Sequence, residues 1–237
     1  MHCTRYNTTL VSVALLVVLT PLASADKFIV DKETSLLGFI NHKRGVASIL
    51  IVDPLTYPGE YAIDIAINPT MEYATFSLRY DAEDIQVAGA EMVRRWGPSI
   101  LEAGATKKPL QAPSPSRQRK IRKVVLSEKF LHAAKYPQVS VNSLGIEKLA
   151  EPAAGDPHTH QMTIGINMHG KTVEATFPAT IALEGDRLTF DAAFPLELRD
   201  FNIKPYSALF GAVRFANVFH VYMHFEAKRM GATSTEQ

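Results

Sequence analysis

A single cysteine, Cys3, stands in the whole chain. No internal disulfide can form, and no Cys-x-x-Cys redox or zinc pair exists. Only one apolar run is long enough to draw notice, residues 10–19, and it is about half the ~20 residues that a membrane-spanning helix needs. It follows one charge, Arg5, and precedes Ala23-Ser24-Ala25, the small-x-small pattern of a secretory leader. The sequence thus predicts a leader over residues 1–25, cleaved near Ala25, and a periplasmic or secreted mature chain. Cys3 would leave with it, being too early to serve as a lipoprotein attachment site. A charge bias is lacking too. Without Arg5, 24 Lys plus Arg balance 24 Asp plus Glu, which excludes an overall electrostatic pull toward nucleic acid. Gly-x-Ser-x-Gly, His-Glu-x-x-His and glycine-rich phosphate loops are all missing, so the common hydrolase, zinc-protease and nucleotide signatures do not apply. The reading is accordingly of a protein that is not an enzyme, with no catalytic residue, metal ligand or cofactor implied.

What the chain has is alternation. Val173, Ala175, Phe177, Ala179, Ile181 and Leu183 alternate with Thr172, Glu174, Thr176, Thr180 and Glu184, the period-two pattern of a strand with one apolar face. Leu188 to Leu196 repeat it after a polar turn, and Phe219 to Phe225 repeat it again. Phe28 to Val30, Leu36 to Ile40, Ala47 to Val52 (closed by Asp53-Pro54), Tyr61 to Ile67, Ala74 to Tyr80, the run from Val139 and Met162 to Met168 supply further strands. About eight antiparallel strands with one-sided apolar faces in about 212 mature residues favour one all-β domain, a closed barrel over residues 26–229, because closure removes exposed edges. Residues 230–237 read as a tail. The interior of such a barrel is filled by side chains or holds one small ligand, and alternation does not choose between them. Residues facing inward by parity, and thus candidates to line a ligand, are Phe39, Ile65, Phe76, Leu78, Phe177, Phe190, Phe194, Phe219 and Phe225.

The period breaks between Val93 and Phe130. Residues 103–118, with Gly104, Pro109, Pro113 and Pro115, read as a flexible loop, and residues 119–125 and 128–135 as a helical insertion stopped by Tyr136-Pro137. Lys107, Lys108, Arg117, Arg119, Lys120, Arg122 and Lys123 form a basic run with no acid between Glu102 and Glu128. It suits an anionic membrane surface or a ligand's phosphate, and a solvated face explains it equally well. Trp96 reads as an anchor of the insertion. His220 and His224 share a face but sit ~13 Å apart on a strand, too far to share a metal ion, and read as solvent-facing. His158 and His160 read as an exposed loop pair, and His42 as an exposed strand end.

Three segments in order resemble the YceI family: residues 127–139, a helix ending in Tyr136-Pro137 before a strand; residues 162–172, a hairpin turning at Gly170; and Leu198-Arg199-Asp200-Phe201-Asn202-Ile203. The resemblance spans nearly the whole mature chain and points to a divergent branch. It implies a lipocalin-like antiparallel β-barrel that holds a polyisoprenoid or quinone-like chain, with the apolar lipid as partner and an anionic membrane surface or a membrane redox protein as further partners. Two departures stand out. Asn202 replaces a frequent glycine, and asparagine tolerates the left-handed backbone next best. Val52-Asp53-Pro54 stands where a His-Asp-His piece follows in relatives. Two other readings stay open: a solid barrel acting as an interaction module beside a membrane redox protein, with residues 201–214 as its exposed apolar contact, and a hydrolase with a spatially assembled His and Asp pair.

Overall fold

The computed structural model describes residues 25–45, 51–56, 62–68, 71, 74–150, 155–208 and 213–231. Residues 1–24 of the expected leader and residues 232–237 of the expected tail lie outside the described residues. In chain order the elements are β1 (Asp26–Val30), β2 (Leu36–Gly45), β3 (Ile51–Thr56), β4 (Ala62–Ile67), β5 (Ala74–Asp81), β6 (Gln86–Val87), α1 (Ala90–Glu102), α2 (Pro115–Leu126), β7 (Gln138–Lys148), β8 (His160–Met168), β9 (Lys171–Glu184), β10 (Arg187–Glu197), β11 (Ser207–Ala208) and β12 (Val213–Arg229). Among the described residues no helix is long and apolar enough to cross a membrane.

One antiparallel sheet runs β1-β4-β5-β7-β8-β9-β10-β12 and closes because β12 also pairs with β1. The closed barrel of about eight strands expected from alternation is what forms, with the lipocalin-like architecture that the resemblance implies. β2 follows β1 along the same edge of β12, with β3 and then β6 beyond it. Closure follows from chemistry. The inward set on β12, Phe219, Val221, Met223, Phe225 and Ala227, is buried, as are its cross-strand partners Leu188, Ala192, Phe194 and Leu196 on β10. Curling the sheet lets each of these faces bury the others.

The turns use the residues that their geometry demands. β8 and β9 are joined by His169 at φ 54° and Gly170 at φ 73°, the doubly left-handed pair of a tight hairpin. A side chain at Gly170 would stand 2.5 Å from the Tyr136 ring, so the position demands glycine for space as well as for backbone. Asn202 takes φ 58° and ψ 22°, the left-handed turn its amide tolerates.

Several expectations are corrected. α1, with Gly97 and Pro98 inside it, is a helix that the sequence pattern does not announce. It lies on the outside of the barrel, where Ile100, Ala105 and Leu110 pack with Leu36, Ile40 and Tyr222 in a second apolar cluster. The expected loop over residues 103–118 ends at Ser114, since Pro115 begins α2, and Ala105, Thr106 and Leu110 are buried within it. Residues 128–135 form turns rather than a helix. β3 runs through Pro54, which pairs with Ile40. The missing N–H is tolerated because the neighbour on the other side, β6, pairs only with Leu55 and Thr56.

Candidate functional site: the barrel interior

The barrel interior is largely filled. Among the described residues, three small cavities of about 20 Å³ each lie inside it, each about the room of one water and far below the ~300 Å³ of a preformed ligand pocket. Strand register places them in series. At one end, which we call the mouth, Phe39, Asn41, Tyr80, Met168, Leu198 and Phe219 line the first with Ile85, Phe130 and Leu131. The second shares Phe39, Tyr80, Met168 and Phe219 and continues inward to Leu37, Val221 and Met223. At the far end Ile65, Ile67, Phe76, Met162, Ile181, Leu188, Phe190 and Phe225 surround the third.

Of the nine residues expected to line a ligand, six therefore border these cavities: Phe39 and Phe219 toward the mouth, and Ile65, Phe76, Phe190 and Phe225 at the far end. Phe76, Phe190 and Phe225 form a cluster of rings with centroids 6.0 to 6.4 Å apart. Leu78 is 1% exposed and borders none of the three. Phe177 and Phe194 stack on each other, centroids 3.8 Å apart, beside a different opening.

That opening lies in the seam between β9 and β10. The strands pair from Arg187 with Glu184 to Ala192 with Ala179, and no further. Beyond that point a cleft of about 430 Å³ opens, bounded by Glu174, Thr176 and Pro178 on one side and by Ala193, Pro195 and Glu197 on the other, with Phe177, Phe194 and Leu196 at its floor. Two prolines explain the split. The Ala179 carbonyl accepts from Thr159 on the β8 side, and the Asp186 carbonyl accepts from Arg229 on the β12 side. Backbone polarity alternates along a strand, so the nitrogens of Pro178 and Pro195 both face the β9–β10 seam. Neither carries a hydrogen, and each removes one donor from the next two rungs of the ladder.

The segments that carry the family resemblance converge on the mouth. Tyr136 packs on Gly170, and its ring centroid is 4.6 Å from that of His169. His169 Nδ1 is 3.1 Å from the Phe201 carbonyl. Leu198, Phe130 and Leu131 from those same segments cap the first cavity. Sequence reading misses Asn41, Tyr80 and Met168 as lining residues. Asn41 is reachable by parity, since it continues the inward set Leu37 and Phe39. It is 5% exposed, and its side-chain oxygen has no hydrogen-bond partner.

The histidines are placed differently from expectation. His220 and His224 do face outward, but both are partly covered rather than solvent-facing. His220 Nδ1 lies 3.1 Å from His42 Nε2, and burial holds its pKa below that of free imidazole. His224 Nδ1 lies 2.6 Å from the Asp191 carboxylate; this hydrogen bond raises its pKa against the opposing effect of burial. Trp96 packs on that ring at 5.4 Å, which gives it the expected anchoring role. The burial of Tyr222 beneath α1 pushes its phenol up to about 12. His158 pairs with Asp156, whereas His160 is fully buried, so the two do not form an exposed pair. Among the described residues no group of three or more His, Cys, Asp or Glu could hold a metal ion. His224 and Asp191 are an assembled His–Asp pair, yet His224 Nε2 looks toward Glu226 at 3.9 Å, where a triad would need a hydroxyl nucleophile.

The basic run divides. Arg122 donates to the carbonyls of Ile85 and Glu83 and so ties α2 to the barrel, while Lys107, Lys108, Arg117, Arg119, Lys120 and Lys123 are exposed. Phe201 and Ile203 are buried and offer no apolar contact surface. The side chains of residues 208–214 lie outside the described residues.

Comparison with known proteins agrees with this geometry. No curated protein sequence matches the chain. Among solved structures, BcnA of Burkholderia cenocepacia superposes with a TM-score of 0.56 at 16% identity, covering 84% of this chain and all of that one. The YceI protein of Campylobacter jejuni aligns at 12% identity with a TM-score of 0.48, over 71% of this chain and 81% of its own. The model of the YceI-like domain matches residues 64–227, and the chain belongs to that family.

Proposed function

We propose that the protein binds one long apolar molecule of the polyisoprenoid or quinone type along the barrel axis and carries it in the periplasm or outside the cell. The observation that supports this reading most is the line of cavities from mouth to far end, bordered almost wholly by apolar side chains. A closed, fully packed barrel would have no reason to keep its slack along one line. Binding requires burial and little else. At ~25 cal/mol per Å², a tail hiding ~400 Å² gains roughly 10 kcal/mol before ordering costs. Because each cavity is water-sized, the chain enters by turning rings aside, and the half-buried rings of Phe39, Phe76 and Phe190 are those with room to turn. The cleft between β9 and β10 supplies a side entrance behind the Phe177–Phe194 stack. The exposed cations on and before α2 suit approach to an anionic membrane surface.

Native mass spectrometry of the mature chain, purified from its own compartment without detergent, tests the proposal. A stoichiometric, extractable lipid is the expected result. A clean apoprotein mass, together with failure to take up added prenol, would overturn the carrier reading in favour of a solid interaction module. Activity of the chain as a hydrolase, lost on substitution of His224, would overturn it in the other direction.

A further inference from the structure

We infer that the ligand is amphiphilic in a defined sense: it carries a single neutral hydroxyl head, which sits at the mouth and donates to Asn41. This inference rests on the carrier reading above and adds the chemistry and direction of the cargo. The mouth and far-end cavities are the same size, but their borders differ. Around the far end the inward side chains are Ile, Phe, Met, Leu and Ala. At the mouth an amide stands among them, only 5% exposed, and its Oδ1 has no hydrogen-bond partner. A buried acceptor left unmade is costly unless something fills the role. The register Asn41 opposite Phe219 continues the inward set of Leu37 and Phe39 and holds the amide beside the cavity, so a donor arriving there is met at once.

The same border excludes an ionised head inside this cavity. Among the described residues that line it none is Lys, Arg or His, and a phosphate brought there would be dry and unpaired by any of them. A hydroxyl costs far less to dehydrate and returns one hydrogen bond. The apolar remainder of the molecule then points inward past Phe39 and Phe219 toward the Phe76, Phe190 and Phe225 cluster.

The test uses the delipidated mature chain and displacement of a bound fluorescent hydrocarbon by geranylgeraniol, its methyl ether and geranylgeranyl phosphate. Wild type should take the prenol at a roughly tenfold lower concentration than the ether, equivalent to about 1.4 kcal/mol, and should take the phosphate more weakly still. Asn41→Leu should bind prenol and ether within about twofold of each other while keeping its Tm. Asn41→Ala, which adds room instead of bulk, should show the same loss of preference. Equal affinity of wild type for prenol and ether, a preference that survives both substitutions, or tighter binding of the phosphate would overturn the assignment while leaving the carrier reading intact. Displacement by none of the three would overturn the carrier reading, and this inference with it.

Discussion

The two ends of the barrel are closed by different chemistry. The far end is held by three phenylalanine rings and the aliphatic residues around them. The mouth is held by turns from three separate segments, joined through Tyr136, Gly170, His169 and the Phe201 carbonyl, around a cavity with one amide in it. The difference continues on the outer surface. His224 stands at the height of the far end and is held by a carboxylate, whereas His220 is nearer the mouth and meets another imidazole. The far end is thus built as a core, and the mouth as a lid assembled from pieces distant in sequence. Stability should reside mainly in the former and ligand discrimination in the latter.

The largest test of this contrast is Phe225→Ala. The ring is 1% exposed, and its loss should cost about 3–5 kcal/mol, read from chemical denaturation. A loss under 1 kcal/mol would show that the far end is not the core it resembles. At the mouth, Gly170→Ala forces a left-handed residue against Tyr136 and should cost about 1–3 kcal/mol. Its diagnostic readout is a change in ligand exchange rate, since Tyr136 must shift. Phe190→Trp should leave the Tm near wild type but weaken lipid uptake at least tenfold, about 1.4 kcal/mol, by filling the far-end cavity. Undiminished uptake would mean that the tail stops short of it.

The smallest effect concerns pH. The raised pKa of His224 means that its bond to Asp191 contributes fully below the unfolded imidazole value of ~6.5. This contribution is lost as pH rises through the higher folded value. His220 has the opposite sign: its lowered pKa gives a contribution present above ~6.5 and lost as pH falls toward the folded value. Asp191→Asn should therefore remove the fall in Tm on the alkaline side and leave the acid-side fall in place. The change should be at most about 1 kcal/mol, because Asp191 is 40% exposed. An unchanged pH profile would separate the pair from stability altogether.

How much of this can be read from the chain depends on which force sets each feature. Strand positions and faces follow from parity, so the inward set of β9, β10 and β12 is legible residue by residue. Parity cannot report how closely opposite faces meet across a closed barrel, so Leu78 and Phe190 look alike in sequence although only Phe190 borders a cavity. α1 escapes because Gly97 and Pro98 resemble breakers, while its packing on Leu36, Ile40 and Tyr222 outweighs their weak propensity. Missing the helix also hides the cover over the outward histidines. Asn41 escapes for the opposite reason. It obeys the parity rule, but a polar residue at a strand's end is usually read as the strand leaving the core.

Pro178 and Pro195 do more than hold β9 and β10 apart. An opened seam normally leaves donors and acceptors in register, a template on which another chain can grow a strand. Here each side of the gap has lost a donor, and Glu174 and Glu197 flank what remains. An incoming strand would find acceptors that it could satisfy only incompletely and carboxylates that it would have to bury. The seam can therefore stay split without inviting edge-to-edge aggregation, a combination that suits the proposed carrier.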